Sequence, residues 1–195
     1  MLYPQLSNKR IILASKSPRR LELVRGLEIE PEVVIREVDE SYPDTIKGPD
    51  VAEFVTIAKA KAFIDILSED DVLITGDTIV LLDDDILEKP NNRGEAIEML
   101  KRLSGRTHVV ASGISVTTLD GGTSCMVDTC EVEFGKLSNS IIEQYVDTYK
   151  PLDKAGSYGV QDLIGYVGVK SLNGSFYTVM GLPVHLLHKM LSEIK

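Results

Sequence analysis

Residues 72–82 read VLITGDTIVLL, a pattern typical of the central strand of an α/β protein. The run at 72–75 is typical of a strand buried on both faces of a parallel sheet. Gly76-Asp77-Thr78 should interrupt the strand, because Gly and Asp favour turns, before 79–82 continues it. Ligands of α/β sheets gather beyond the ends of such strands, so Asp77 is a candidate general base or metal ligand. A turn-capping Asp is the alternative interpretation.

Short β-branched runs alternate with helical patterns on both sides of this stretch, which indicates an α/β protein. N-terminal to it we predict strands at 10–14 and 32–36. Ser17 can cap a helix between them, and Pro18 suits the first helical position. Apolar residues that recur at intervals of three and four predict a long helix over 50–67.

The pattern continues in the second half of the chain. The predicted elements are a hairpin tip at 83–85, a helix over 93–103, facing strands at 108–118 and 123–134, a helix from 138 to about 149, a hairpin of 166–172 with 175–180 closed by Asn173-Gly174, and a last helix from Pro183 nearly to Lys195. No repeat or linker separates them, so we expect a single domain over residues 1–195, either one large body or two small lobes sharing a core.

The charge of the chain argues against several classes of protein. Its 195 residues carry 21 Lys and Arg against 30 Asp and Glu, a net charge of −9. We therefore expect no nucleic acid polymer and no membrane as partner, because either needs a basic surface. No segment has the apolar length of a membrane helix or the core of a signal peptide, so a cytoplasmic protein is expected.

Neither the cysteines nor the histidines form a metal-binding pattern. Cys125 and Cys130 are too few for a disulfide framework, and we expect both to be reduced. His108, His185 and His188 have no acidic or thiol partner in a spaced motif, so we expect structural or surface roles for them.

A basic island stands out at the N-terminus of this acidic chain. Residues 1–25 hold six Lys and Arg and one Glu. The island coincides with the start of a predicted helix, where free N–H groups and the helix dipole favour an anion. Ser15, Arg19 and Arg20 at this position suit phosphate oxygens. A solvated basic face is the alternative.

The other candidates are weak when taken singly. Glu40 lies in an acidic loop, and Lys61 and Lys89 are single basic residues, all of kinds that are usually solvated. Residues 153–161 read DKAGSYGVQ, in which two glycines suit either a backbone that approaches a ligand or an ordinary loop. The sequence has no P-loop, Rossmann, zincin or serine-hydrolase motif, which argues against those classes.

Taken together, these positions resemble the Maf family of nucleoside triphosphate pyrophosphatases over nearly the whole chain. The matching segments are LASKSPRR at 13–20, VDE at 38–40, AKA at 60–62, GDT at 76–78, EKP at 88–90, LSG at 103–105 with His108, DKAGSYGVQ at 153–161 and MGLP at 180–183. Eight matches in the same order are not expected by chance.

The resemblance implies a Maf/ITPase-like α/β fold, with a mixed, twisted sheet flanked by helices and two lobes around a deep cleft. It implies hydrolysis of nucleoside triphosphates to nucleoside monophosphate and pyrophosphate, with dTTP and UTP preferred and house-cleaning of modified nucleotides as a possible role. A divalent metal, Mg²⁺ or Mn²⁺, and a homodimer are further implications.

The resemblance also assigns roles to single residues. Asp77 becomes the general base, and Glu40 and Asp77 become the metal ligands. The implied phosphate-binding residues are Ser15, Arg19, Arg20, Lys61 and Lys89. The residues that match the branch specific for dTTP and UTP are Arg19, Thr78 and Gln161.

Three positions depart from the family pattern. Gly76 and Ser157 each replace an Ala, and Asp162 adds a charge beside Gln161 where a Gly often follows. Two alternative functions stay open. One is a nucleotide-binding regulator of cell division or septum formation, which needs phosphate-binding residues but not a base such as Asp77. The other is a pyrophosphatase that prefers methylated GTP.

Overall fold

A computed structural model describes residues 2–194 as an α/β protein. The strands are β1 (Arg10–Leu13), β2 (Glu32–Val33), β3 (Asp71–Leu82), β4 (Asp85–Leu87), β5 (Thr107–Thr118), β6 (Gly122–Phe134) and β7 (Val169–Asn173). The helices are α1 (Pro18–Arg25), α2 (Asp50–Lys61), α3 (Arg93–Leu103), α4 (Asn139–Tyr149), α5 (Leu163–Gly168), α6 (Phe176–Met180) and α7 (Val184–Ser192). Short 3₁₀ helices lie at Pro4–Leu6, Ile64–Ile66 and Ala155–Ser157.

The strands form one mixed sheet in the order β2-β1-β3-β5-β6-β7, with β4 paired to β3 off this path. β1 runs parallel to β2 and to β3, and Leu13 lies opposite Ile74. The β3–β4 and β6–β7 pairs are antiparallel. The predicted α/β class, with a mixed sheet flanked by helices, is therefore confirmed.

The chain divides into two compact units. The first comprises the described residues up to Asp77, then Ser112–Asp128, and the described residues from Gly181 onward. The second comprises Thr78–Ala111 and Thr129–Met180. Strands β3, β5 and β6 contribute residues to both units, and the single domain over residues 1–195 stays a prediction.

The core of the first unit explains where its strands lie. Ile12 of β1 and Leu73 of β3 are fully buried and pack with Phe63, which follows α2. Burial of such apolar side chains is the main source of stability, about 1.5–3 kcal/mol for each large one. Val38 packs against the same cluster and so attaches the acidic loop to the sheet.

Helix α1 begins as predicted. The Ser17 side chain caps it by accepting a hydrogen bond from the backbone N–H of Arg20 at 3.4 Å, and Pro18 occupies the first turn. The helix ends at Arg25. The helix start is therefore confirmed, and anion binding there stays a prediction.

The predicted break at Gly76-Asp77-Thr78 is wrong, because β3 continues from Asp71 to Leu82 without interruption. Gly76 serves packing and not a turn. A Cβ at this position would lie 2.8 Å from the backbone carbonyl oxygen of Gly113, far inside normal contact. Asp77 is therefore a residue within a strand.

Two other predicted elements are shorter than expected. The strand at 32–36 ends at Val33, because the Arg36 side chain leaves the sheet to donate a hydrogen bond to the carbonyl oxygen of Ala62 at 2.8 Å. The helix at 50–67 ends at Lys61, and the chain continues through the 3₁₀ helix Ile64–Ile66.

The predicted hairpin of 166–172 with 175–180 is also wrong. Residues 163–168 and 176–180 are helices α5 and α6, and only Val169–Asn173 is a strand. That strand pairs with β6, so its partner is distant in sequence. Gly174 closes no hairpin; its φ is 139°, and a Cβ there would lie 2.9 Å from Cβ of Cys130 in β6.

The remaining predicted helices and facing strands are confirmed, while Lys195, where the last helix was expected to end, lies outside the described residues. Both Cys125 and Cys130 are free thiols in β6. No helix within residues 2–194 has the length and apolar character needed to cross a membrane.

His108 has the structural role that its isolation in the sequence predicts. It is buried in the second unit, where its Nε2 lies 2.7 Å from the hydroxyl of Tyr158. The rings of Phe134 and Tyr158 meet the imidazole edge to face at centroid distances of 5.0 and 5.4 Å. This burial lowers the pKa of His108 to about 4, so the ring is neutral near pH 7.

We predict an acid-sensitive stability that depends on His108. An unfolded histidine takes up a proton below a pH of about 6.5, whereas the folded ring resists protonation until about pH 4. The contribution of the neutral His108 to the free energy of unfolding is therefore complete above pH 6.5 and is lost as the pH falls toward 4. The free energy of unfolding in urea should fall between pH 7.5 and pH 5.0 in both proteins. The fall should be about 2 kcal/mol larger in the wild type than in His108→Gln. An equal loss in both proteins would contradict the assignment.

Candidate active site

Three charged side chains meet in the first unit. The Lys59 ammonium of α2 lies 2.8 Å from Oδ1 of Asp77 in β3 and 3.1 Å from Oε1 of Glu40 in the acidic loop. The Lys59 and Asp77 side chains are each only 12% exposed, and that of Glu40 is 48% exposed. The sequence predicted Glu40 and Asp77 as partners, and the structure brings them together on one cation.

The acidic loop is held so that Glu40, and not its neighbour, faces the lysine. Val38 anchors the loop to the core, and Arg36 binds the end of α2. The Asp39 carboxylate turns back to accept a hydrogen bond from the backbone N–H of Ser41 at 2.9 Å, which lowers the pKa of Asp39. Asp39 is thereby used within its own turn, and Glu40 is left for Lys59.

The start of α1 forms a second part of the site. Arg20 donates from Nε to the carbonyl oxygen of Gly181 at 2.8 Å and from Nη1 to the Ser15 hydroxyl at 3.4 Å. The same hydroxyl accepts from the backbone N–H of Ser17 at 3.1 Å. Since Ser15 accepts both bonds, its own proton remains to be donated to an anion.

Electrostatics link these two parts. Burial lowers the pKa of Arg20, and the neighbouring charge of Arg19 lowers it further, while the carboxylates of Asp77 and Glu40 raise it. Arg20 therefore lies within electrostatic reach of both carboxylates. An arginine stays charged under such a shift, so the Arg20 guanidinium brings a positive charge to the anionic pair from the helix start.

The structure does not bring Lys61 to this cluster, although the resemblance assigned it to phosphate binding. Lys61 is exposed, and Lys59, two residues earlier, makes the contacts. Residues two apart on a helix point about 200° apart, so the two lysines lie on opposite sides of α2. The structure therefore places Lys59, and not Lys61, beside the two carboxylates, and phosphate binding by Lys61 stays a prediction.

The helical phase of α2 distinguishes Lys59 from Lys61 on the basis of sequence. The buried residues of α2 include Ala52, Val55 and Thr56, and Lys59 follows them at intervals of seven, four and three. Those intervals place Lys59 on the buried face of the helix. The motif alone could not make this choice, because both lysines stand between two alanines.

Gly181 was noted only as part of a closing motif, yet it positions Arg20. Its carbonyl oxygen accepts the Arg20 Nε–H, and its φ of +107° is a conformation that side-chain-bearing residues avoid. The glycine thus lets the backbone present its carbonyl to the guanidinium.

Three of the predicted residues belong to the second unit: Thr78, Lys89 and Gln161. Thr78 is half-buried and Lys89 is exposed in the loop after β4. The backbone N–H of Gly156 donates to the carbonyl oxygen of Glu88 at 3.3 Å, so the glycine-containing loop contacts the residue before Lys89.

The charge of Asp162, which departs from the family pattern, is satisfied within the second unit. Its Oδ2 accepts a hydrogen bond from the Tyr145 hydroxyl at 2.9 Å and lies 3.7 Å from the Lys154 ammonium. Asp162 therefore stabilises the loop and does not place an unpaired charge beside Gln161. The Gln161 side-chain oxygen is buried without a hydrogen-bond partner, as expected of an acceptor that awaits a ligand.

The two carboxylates near Lys59 are too few to bind a hard cation unless a substrate supplies further oxygen ligands. Within residues 2–194, no group of three or more His, Cys, Asp or Glu side chains is arranged to hold a metal. Glu40 and Asp77 nevertheless converge on the Lys59 ammonium, so the pair has the charge and oxygen donors that attract a cation. Mg²⁺ commonly binds through one or two carboxylates, with water and phosphate oxygens completing its shell.

Comparison with known proteins shows the family of this chain. The family model described as Maf-like protein matches residues 10–194. The chain therefore belongs to the Maf family.

Two relatives carry the same description. A dTTP/UTP pyrophosphatase of Bacteroides thetaiotaomicron is 47% identical over 97% of this chain and 98% of its own length. A dTTP/UTP pyrophosphatase of Flavobacterium psychrophilum is 39% identical, over 96% of each chain. The solved structure of the Staphylococcus aureus Ham1 protein aligns with 96% of this chain and 100% of its own, with a TM-score of 0.57 at 17% identity, and so shows a shared fold.

The two lysines of α2 make a matched pair for a stability test. Lys59→Met should lower the free energy of unfolding by about 1–3 kcal/mol, because it leaves two carboxylates without their cation in a partly buried position. Lys61→Met should change it by less than about 0.5 kcal/mol, as for other surface substitutions. Urea denaturation of both variants measures the difference. Equal effects would contradict the placement of Lys59.

Proposed function

We propose that this chain hydrolyses nucleoside triphosphates at the α-phosphorus to nucleoside monophosphate and pyrophosphate, preferring dTTP and UTP. The observation that carries the proposal is the buried Lys59–Asp77 pair with Glu40, within electrostatic reach of Arg20 at a helix start. Membership of the Maf family and the names of the relatives support it. A nucleotide sensor needs only the phosphate-binding residues, so the Lys59–Asp77 pair favours the enzyme.

The triphosphate binds at the start of α1 in this proposal. The positive end of the helix dipole attracts phosphate oxygens at this position. The Ser15 hydroxyl has a proton to donate, and Arg19 and Arg20 supply two positive charges. Because Arg20 is held by Gly181 before substrate arrives, little reorganisation is needed when charge develops in the transition state.

Asp77 is the proposed general base. Lys59 contacts only its Oδ1, which leaves Oδ2 to take a proton from the attacking water. The ammonium also keeps the carboxylate in one rotamer. Lys59 itself lies between both carboxylates, so it orients Glu40 as well.

We propose that Glu40 and Asp77 hold Mg²⁺ or Mn²⁺ together with phosphate oxygens of the substrate. When bound, such an ion supplies charge neutralisation for the departing pyrophosphate. Arg19 and Arg20 act in the same direction from the helix start, since they offset negative charge on the phosphates.

Base recognition is proposed to involve Gln161. Uracil and thymine present the O4 acceptor beside the N3–H donor, and a side-chain amide answers both, whereas cytosine reverses the pattern. The unpartnered Gln161 oxygen supports a role as the acceptor. Roles for Arg19 and Thr78 in specificity, for Lys89 in phosphate binding, a cytoplasmic location and a homodimer stay predictions.

A panel of nucleotides tests the proposal. The wild type with Mg²⁺ should release pyrophosphate and nucleoside monophosphate, with kcat/KM higher for dTTP and UTP than for CTP, purine triphosphates and 7-methyl-GTP. Gln161→Glu should lower the ratio of dTTP to CTP by about tenfold or more, because the carboxylate cannot donate to O4. Orthophosphate as the primary product would overturn the reaction, whereas a ratio unmoved by the substitution would overturn only the role of Gln161.

A further inference from the structure

We propose that Thr75 is a positioning residue whose hydroxyl sets the distance between Lys59 and Asp77. The inference rests on the proposed function of that pair. Thr75 makes no contact with either charged group through its hydroxyl. It binds the turn of α2 that carries the lysine, and it does so from the strand that carries the aspartate.

Two connections join β3 to α2 side by side. Thr75 precedes Asp77 by two residues in a strand, so both side chains lie on the same face. Thr56 precedes Lys59 by three residues in a helix, so both lie on one side of α2. The Thr75 hydroxyl donates to the carbonyl oxygen of Thr56 at 2.9 Å, one helical turn below the 2.8 Å contact between Lys59 and Asp77.

The direction of the hydrogen bonds follows from proton counting. Because the single proton of the Thr75 hydroxyl goes to the Thr56 carbonyl oxygen, the hydroxyl of Ser115 must donate in the 2.7 Å contact with Thr75. Ser115 belongs to the neighbouring strand β5. The chain Ser115, Thr75, Thr56 therefore runs from β5 through β3 into the helix backbone.

This chain is buried where an apolar residue would pack equally well. Thr56, Thr75 and Ser115 are all fully buried. Threonine and valine have nearly the same shape, and a buried hydroxyl costs free energy unless it is hydrogen-bonded. Burial alone therefore favours valine at position 75, and the two hydrogen bonds of the Thr75 hydroxyl offset that cost.

The helix lies close enough to the sheet for this contact because of Gly113 in β5. A Cβ on Gly113 would lie 2.4 Å from Oγ1 of Thr56 and 2.6 Å from the carbonyl oxygen of Ala52. Any larger residue would push α2 away from the sheet. The close approach brings the helix within reach, and the Thr75 hydrogen bond then fixes the turn.

A lysine needs such support more than most residues. Its side chain has four rotatable bonds, so its ammonium is only as well placed as the backbone that carries it. A displacement of about 1 Å in a catalytic group is enough to cost roughly 10²-fold in rate. When the helical turn at Thr56 is fixed, only rotations of the Lys59 side chain can still move its ammonium.

The test compares kcat and KM for dTTP in four proteins. Thr75→Val should lower kcat by about 10- to 100-fold with KM changed by less than about threefold, because ground-state binding of phosphates does not depend on this contact. Thr75→Ser restores the donor and should restore most of kcat. Ser115→Ala is the matched control: it removes a buried hydrogen bond of the same chain but leaves the bond from Thr75 to α2.

A purely structural role predicts a different pattern. In that case kcat would fall in both Thr75→Val and Ser115→Ala, and in each variant the fall would follow the loss of stability. That result would overturn the proposal. Thr75→Val with the kcat of the wild type would also overturn it. Should Thr75→Val not fold, Thr75→Ala replaces it with the same expectations, since a smaller side chain cannot clash.

A double-mutant cycle tests whether Thr75 acts through the lysine. In a Lys59→Met background, Thr75→Val should cause no further loss of kcat, because the group that it positions is absent. An independent further loss would overturn the proposal. Asp77→Asn distinguishes a failure of the Thr75 proposal from a failure of the proposed function. This variant should lose about 10²–10⁴-fold in kcat, and normal turnover would contradict the proposed function itself.

Discussion

The ammonium of Lys59 between the carboxylates of Glu40 and Asp77 is the interaction on which the site depends. Two carboxylates that approach one another repel, and a strand interior is a costly place for either. Lys59 balances both within 3.1 Å. The structure must therefore hold the strand, the helix and the loop that carry these residues at a fixed distance from one another, although up to 37 residues of sequence separate them.

The surrounding structure meets this requirement in three ways. Gly113 lets α2 approach the sheet, and Val38 ties the acidic loop to the core beneath it. Gly181 holds Arg20 at the start of α1, within electrostatic reach of the same carboxylates. The first unit thus presents the Arg20 guanidinium near the carboxylate that is proposed as the general base. This juxtaposition is what an acid anhydride hydrolase requires.

Much of this arrangement follows from local sequence. The cap at Ser17, the proline after it and the basic first turn predict α1 and its affinity for anions, and all of these depend on residues adjacent in the chain. Errors arose where distant partners decide the structure. Gly76 has the composition of a turn but packs against Gly113, and 169–173 pairs with β6 instead of its sequence neighbour.

The site shows the same limit of sequence reasoning. The family resemblance singles out Asp77 and Glu40, but its motif does not distinguish Lys59 from Lys61, because only the helical phase relative to the sheet separates them. Asp162 was expected to disturb Gln161 by its charge. Its partner Tyr145 lies 17 residues away on another helix, a contact that no local pattern encodes.

The central claim is that water activated by Asp77 attacks the α-phosphorus of the triphosphate. The most direct test is hydrolysis of dTTP by the wild-type enzyme in ¹⁸O-labelled water, followed by mass spectrometry of both products. Attack at the α-phosphorus predicts one ¹⁸O atom in dTMP and none in pyrophosphate. The label in pyrophosphate would show attack at the β-phosphorus and would contradict the account.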